Sequence, residues 1–212
     1  MKRILWTFLA AATLTACNTP SEPTVAIETR LGTIKVVLYD STPKHQENFL
    51  KLAEEGFYDS TLFHRVIPGF MIQGGDPDSR TANPGQRLGM GGPGYKIDAE
   101  IGAPHIRGAL AAARDGNPQK RSSGSQFYIV TGRPLTDQDL DAMEAQKGIT
   151  YNDAQRQLYK EMGGTPQLDQ DYTVFGEVIE GMDVVDAIAQ EARDRADRPF
   201  QNVRMSMRVI KK

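Results

Sequence analysis

Arg65 is the one cation in a run of aromatic, thioether and amide side chains: Phe63-His64-Arg65-Val66-Ile67-Pro68-Gly69-Phe70-Met71-Ile72-Gln73-Gly74-Gly75-Asp76. A second cluster of the same character, Gly124-Ser125-Gln126-Phe127-Tyr128, follows further along the chain. An arginine fork is planar, permanently charged and weakly hydrated, so it works as a hydrogen-bond donor beside apolar walls. Such equipment suits directed hydrogen bonding in a water-poor slot and offers no covalent chemistry. Taken singly, each residue has a plainer reading. An arginine in a strand is ordinarily salt-bridged or solvated, a lone glutamine lies on the surface, and aromatic and methionine side chains in a β protein form the core.

Other chemistries find less support. His45, His64 and His105 are far apart and show no metal-ligand spacing, so neither a metal nor a cofactor is expected. Strand alternation puts His64 on the face opposite Arg65, which predicts a packed, hydrogen-bonded histidine and not a general base. The glycine-rich Gly89-Met90-Gly91-Gly92-Pro93-Gly94 lacks the lysine and hydroxyl of a phosphate-cradling loop. Ser122, Ser123 and Ser125 have no evident histidine and acid partners, so hydrolysis is not expected.

The elements that must position these residues are mainly strands. Val25 to Thr29 and Thr33 to Tyr39 are rich in β-branched residues, and Arg30-Leu31-Gly32 between them predicts a tight hairpin. Pro43 suits a first helical position, with Phe49, Leu50, Leu52 and Ala53 as the apolar stripe and Gly56 as the stop. Strand-like runs recur near residues 61–67, 70–74, 96–100, 108–113, 126–131 and 172–179, separated by Gly, Pro and Asp clusters, which indicates an all-β barrel or sandwich. A second helix is predicted from Met182 to Ala189 and a last strand from Val203 to Ile210. Residues 132–164 interrupt this order. Leu135, Leu140 and Met143, then Tyr151, Ala154, Leu158 and Met162 after Thr150 as N-cap, predict a helical hairpin broken at Gly148. Covering the barrel surface is its simplest role, and binding an envelope partner or substrate is the alternative.

The N-terminus reads differently. Lys2-Arg3 precedes the apolar run Ile4 to Ala12, the layout of a secretory signal too short to span a bilayer as an anchor. Leu14-Thr15-Ala16-Cys17 then resembles the bacterial lipobox, in which the cysteine is lipidated and becomes the first mature residue. The chain has one cysteine, which fits lipidation better than an unpaired thiol in an oxidising compartment. The expected organisation is a signal peptide over 1–16, a lipidated tether over 17–24 and one domain over 25–212, carried on a bacterial cell envelope membrane and facing the periplasm. Loss of Lys2 and Arg3 takes the formal charge from −2 to −4, so the surface has no broad basic footprint and nucleic-acid binding is not expected.

The blocks Phe63 to Asp76 and Gly124 to Tyr128, with Thr173-Val174-Phe175-Gly176-Glu177-Val178-Ile179-Glu180-Gly181-Met182 near the C-terminus, together resemble the cyclophilins, the peptidyl-prolyl cis/trans isomerases. The resemblance spans roughly residues 25 to 210. It implies a closed eight-stranded antiparallel barrel capped by two helices, here with a helical insertion, acting on proline-containing polypeptides. It assigns catalysis to Arg65 and Gln73, orientation of the substrate backbone to Gln126 with Arg114 nearby, and an apolar proline slot to Phe70, Met71, Ala113, Tyr128 and Leu168, with Tyr172 at the rim. A two-residue Pro68-Gly69 hairpin would put Phe70 on Arg65's face and Met71 and Gln73 on the other, so this shared pocket requires an irregular turn.

The sequence departs from the family at the rim. Tyr172 stands where many cyclophilins carry a histidine, Gln167 where many eukaryotic ones carry a tryptophan, Tyr128 replaces the commoner phenylalanine, and Arg114 stands where an asparagine often contacts substrate. These changes bear on specificity more than on reaction type.

Overall fold

The computed structural model describes residues 22–212; the apolar leader, Cys17 and the first part of the tether lie outside the described residues. Strands β1 (Thr24–Thr29) and β2 (Gly32–Leu38) form the expected hairpin, with Thr29 opposite Gly32 across the two-residue turn. Helix α1 (Pro43–Glu54) starts at its proline and turns Phe49, Leu52 and Ala53 inward. The short strands β3 (Arg65–Ile67) and β4 (Met71–Gly74) follow, then β5 (Lys96–Ile97), β6 (Ala109–Ala112), β7 (Ser122–Ser123) and β8 (Phe127–Val130). Helices α2 (Asp137–Lys147) and α3 (Asp153–Glu161) make up the interruption, and β9 (Val174–Glu180), α4 (Met182–Ala189) and β10 (Met205–Lys211) complete the chain.

Eight strands form one antiparallel sheet in the order β10-β1-β2-β9-β6-β8-β4-β3, while β5 and β7 pair separately. The expected closure of the barrel is incomplete. No ladder joins β3 to β10 among the described residues; the curled sheet meets itself just before those strands, at the Leu62–Arg204 bridge and the Phe63 N–H to Val203 carbonyl bond of 2.9 Å. The three-residue β3 spends its outer edge elsewhere, with Val66 N–H donating to the Asp197 carbonyl at 2.8 Å.

Alternation along the strands separates two apolar layers. Val66, Ile72, Leu110, Ala112, Phe127 and Ile129 point into the main core, where α1 and α4 close the ends with Phe49, Leu52, Val185 and Ile188. Their neighbours Met71, Ala109, Ala111, Tyr128 and Val130 point outward into a second cluster that also takes Phe70, Leu168 and Tyr172. The candidate site belongs to this outer layer.

The interruption is a helical hairpin with a small core of its own: Leu140, Tyr151 and Tyr159, packed by Ile106, Leu135, Met143 and Ile149. Gly148 ends α2 in the left-handed conformation with φ of 66°. Two expectations fail here. Asn152, not Thr150, caps α3, its side chain accepting from Gln155 N–H while Gln155 reaches back. Leu158 and Met162 are exposed, and Tyr159 is the buried anchor instead. The tyrosine ring supplies apolar area comparable to that of a leucine, and its hydroxyl finds a buried acceptor that leucine could not use.

Candidate active site

The turn between β3 and β4 resolves the problem of parity. Pro68, Gly69 and Phe70 form a three-residue connection in which Phe70 N–H bonds back to the Ile67 carbonyl at 3.1 Å and Gly69 takes a φ of 69°. The odd residue sets Arg65 opposite Gln73 and Ile67 opposite Met71. Directly paired residues share a face, so Arg65, Met71 and Gln73 project together while Val66 and Ile72 project into the core.

Arg65, Phe70, Met71, Gln73, Ala113, Arg114, Tyr128, Leu168 and Tyr172 line one slot of about 130 Å³. That volume is close to the ~150 Å³ known to admit a benzene ring, so a five-membered ring fits. Of the catalytic and substrate-binding residues expected from sequence, Gln126 alone lies outside the slot, one hydrogen bond away: Gln73 Nε2 donates to Gln126 Oε1 at 3.0 Å, and Gln126 Nε2 donates to the Gly91 carbonyl at 2.7 Å. This chain of amides fixes the orientation of Gln73. Gln73 also borders two larger grooves: one of about 850 Å³ bounded by Gly91, Tyr95 and Arg121, and one of about 550 Å³ bounded by His64, Gln86 and Arg198. Grooves that share a wall with the slot give room for an extended chain with one side chain inserted.

Arg65 stands at the mouth, its side chain 42% exposed, and its nearest acid is Asp197, whose Oδ2 lies 3.8 Å from Nε. Asp197 also accepts from Val66 N–H through its carbonyl at 2.8 Å and holds a φ of 61°. Sequence reasoning did not single it out, since it lies more than a hundred residues from Arg65 with no motif around it. Arg114 is engaged elsewhere: it donates to the carbonyls of Asp171 (2.7 Å), Asp115 (3.0 Å) and Asn117 (3.3 Å) and stacks over Tyr172 at 4.8 Å. Its fork therefore builds the rim, leaving Arg65 as the cation that faces the slot.

Tyr128 turns its hydroxyl away from the slot to His105 Nε2 at 2.9 Å, and burial raises its pKa well above the ordinary value. His105 Nδ1 meets Asp169 Oδ1 at 2.7 Å. Burial pushes the Asp169 carboxyl upward, but hydrogen bonds from His105, Tyr159 and Tyr151 outweigh it and hold the group below the usual carboxylate range. Neither His105 nor Asp169 was among the sequence candidates. The only sequence signal is the replacement of phenylalanine by Tyr128, whose buried hydroxyl requires a partner.

The other two histidines also differ from expectation or add to it. His64 is packed as expected, yet neither ring nitrogen has a hydrogen-bond partner among the described residues, and burial lowers its pKa to about 4. His45 joins Glu100 (2.6 Å) and Ser122 (2.9 Å) in the order of a hydrolytic triad, partners that the sequence did not reveal. Ser122 is buried and the gap beside this group holds only about 10 Å³, so no acyl substrate reaches the hydroxyl. The trio pins α1 instead, as Glu100 also accepts the backbone N–H groups of Lys44 and His45 at 3.1 Å each.

The chain is similar in sequence and in fold to known proteins. Residues 24–209 match the family model described as cyclophilin type peptidyl-prolyl cis-trans isomerase/CLD, and residues 1–18 match a prokaryotic membrane lipoprotein lipid attachment site. A putative bifunctional phosphatase/peptidyl-prolyl cis-trans isomerase of Streptococcus pyogenes is 38% identical over 85% of this chain, which spans 37% of that protein's length. A putative peptidyl-prolyl cis-trans isomerase of Staphylococcus aureus is 34% identical over 85% of this chain and 93% of its own. Among solved structures, a Cryptosporidium parvum cyclophilin type peptidyl-prolyl cis-trans isomerase superposes with a TM-score of 0.65 at 26% identity, covering 90% of this chain and 99% of the other. The same protein in the presence of the dipeptide Ala-Pro matches with a TM-score of 0.63.

Proposed function

The chain belongs to the cyclophilin-type peptidyl-prolyl cis-trans isomerases, and from that premise we propose that Arg65 drives the isomerisation of Xaa-Pro bonds held in the slot between β3, β4, β6 and β8. The peptide bond resists rotation by ~18–20 kcal/mol, while its two end states at proline differ by only ~0.5–1 kcal/mol. Uncatalysed exchange takes ~10–100 s. A turnover of roughly 10² to 10³ per second therefore needs only ~4–7 kcal/mol off the barrier. The twisted imide loses resonance, so its nitrogen becomes a hydrogen-bond acceptor and its oxygen sheds negative charge. A fixed donor cation near that nitrogen favours the twisted state over the planar one. The apolar walls Phe70, Met71, Ala113, Tyr128 and Leu168 hold the ring and exclude water, and Gln73, oriented through Gln126, is left with a free carbonyl to hold the substrate backbone.

The observation that carries this reading is the register of Arg65 opposite Gln73, which puts cation, amide and slot on one face. Exchange spectroscopy on a short Xaa-Pro peptide tests it. Arg65→Ala lowers the exchange rate at least ~100-fold with the fold intact, the loss expected for one preorganised donor; a near-wild-type rate refutes the assignment.

The lipid attachment match supports anchoring to a bacterial envelope membrane through lipid on Cys17. We place the domain, residues 25–212, on the periplasmic side, where it assists exported or envelope proteins as they fold, with residues 1–16 as signal and 17–24 as tether. A second reading is a membrane-tethered, catalytically weak module that holds clients or an envelope partner through residues 132–164. One observation favours it: Leu158 and Met162 are 40% and 46% exposed on the insertion. Under that reading, polar replacement of both abolishes client capture while peptide turnover persists; unchanged capture refutes it.

A further inference from the structure

The insertion leaves the barrel at Gly132 and returns at Gly163-Gly164, and the two ends touch so closely that a Cβ on Gly132 would lie 2.4 Å from Gly164 Cα. A Cβ on Gly164 would meet the Tyr159 ring at 2.5 Å, so glycine is required where the hairpin rejoins the sheet beside His105. From this base two insertion hydroxyls reach one buried carboxylate: Tyr151 Oη and Tyr159 Oη donate to Asp169 Oδ2 at 2.7 and 2.5 Å. Asp169 Oδ1 accepts the His105 backbone N–H at 2.8 Å and its ring Nδ1–H at 2.7 Å. The other ring nitrogen meets Tyr128 Oη, and the two rings stack at 6.0 Å with an interplanar angle of 11°. All five residues are buried.

A proton inventory gives this network a direction. A carboxylate only accepts, so Asp169 accepts hydrogen bonds from both insertion tyrosines and from Nδ1–H of His105. The Tyr128 hydroxyl has one hydrogen bond among the described residues, to Nε2, and a buried phenolic proton needs an acceptor. Nε2 is therefore bare and Tyr128 donates to it. The consequence for the slot is that Tyr128 shows substrate its ring face alone, as a phenylalanine would, while its polar end is fixed from behind. Lys147 of α2 adds a second tie from the insertion, donating to the Gln167 carbonyl and to Asp171 at 2.7 Å each, next to the Asp171 carbonyl that Arg114 uses.

We propose that His105 and Asp169 are positioning residues for Tyr128, and that Tyr151 and Tyr159 make the helical insertion the support that sets the proline slot's affinity. The proposal rests on the isomerase reading of the slot. It differs from mere stabilisation in requiring that the insertion act on substrate through Tyr128.

Two measurements test it. In 15N-histidine-labelled wild-type protein, His105 shows a protonated Nδ1 and a bare Nε2; a protonated Nε2 overturns the direction of the network and with it the proposal. Exchange spectroscopy on an Xaa-Pro peptide then compares wild type, Tyr159→Phe, Tyr128→Phe and the double variant. Tyr159→Phe weakens peptide binding about threefold to tenfold, the worth of one hydrogen bond, and leaves the saturated exchange rate within about twofold. On the Tyr128→Phe background the same substitution has no further effect on binding, because the last link is already gone. Additive effects, or equal losses in binding and saturated rate, overturn the positioning role. If wild type itself fails to exchange the peptide, the isomerase reading falls; if wild type exchanges and the cycle is additive, only the proposal of this section does.

Discussion

Acid should destabilise this domain through His64, and the size of the effect follows from its surroundings. The ring is buried behind Arg65 with both nitrogens unpartnered. Burial lowers its pKa from 6.5 to about 4; Asp76 and the nearby Leu62 backbone oppose the shift, and the positive charges of Arg65 and Arg198 add to it. Between those two values the unfolded chain takes up a proton on His64 and the folded chain does not, so stability falls as pH falls through that window. By pH 5 this group alone costs about 2 kcal/mol relative to pH 7, at 1.36 kcal/mol for each pH unit of uncompensated protonation. Replacing His64 with phenylalanine keeps a ring of similar size, removes two unpaired nitrogens and deletes the titration. Urea unfolding at pH 7 and pH 5 measures both proteins. With a urea slope of ~2 kcal/mol/M, the wild-type midpoint should drop by about 1 M more than the variant's. His45, whose pKa burial also lowers despite its bond to Glu100, titrates in both proteins and cancels from the difference. Equal midpoint shifts in wild type and His64→Phe would refute the reasoning, since the unpartnered ring would then be carrying no proton deficit.

Three further outcomes are expected. Asp197→Asn keeps a residue that tolerates the left-handed backbone but removes the charge 3.8 Å from Arg65 Nε, so peptide exchange should slow by about threefold to tenfold, far less than for Arg65→Ala; unchanged exchange at low salt would show that Asp197 does not orient the fork. Cyclosporin-type cyclic peptides should bind weakly, because exposed Gln167 offers neither an indole donor nor its apolar face; calorimetry returning nanomolar affinity would contradict this. Cys17→Ser should shift the protein from the detergent phase to the aqueous phase on partitioning, and retention in detergent would mean that something other than a lipid on Cys17 anchors it.

Much of the site was legible because strand alternation and a few matching blocks constrain it from opposite directions. Arg65, Met71 and Gln73 could share a face only if the Pro68-Gly69 turn carried an odd residue, and the three-residue turn with Gly69 at φ of 69° supplies it. The short strands obscured barrel closure, since nothing in the sequence distinguishes a paired edge from a single bridge such as Leu62–Arg204. The insertion was legible as two helices and illegible in its packing. Helical periodicity ranks Leu158 and Met162 above Tyr159, because it scores apolar surface and is blind to a distant acceptor. The acceptor, Asp169, lies outside both helices, and His105 lies before them, so neither belongs to any pattern that a window along the chain could detect.

The same blindness hides the fate of the hydroxyl that Tyr128 brings to an apolar slot. A hydroxyl added to a proline-binding wall would cost affinity if it faced the ring, and it does not face it: His105 takes it on the far side. Once Tyr128 is present, however, the partner is no longer optional, since removing it strands a buried phenol. His105 in turn needs Asp169 to fix its tautomer, and Asp169 needs the insertion's two hydroxyls to satisfy its second oxygen. A single departure from phenylalanine at the slot thus accounts for a chain of buried polar residues ending in an insertion that would otherwise look like surface ornament. Removing the insertion while keeping Tyr128 should therefore disturb the slot more than removing both, an order of effects that a purely covering role for the insertion would not produce.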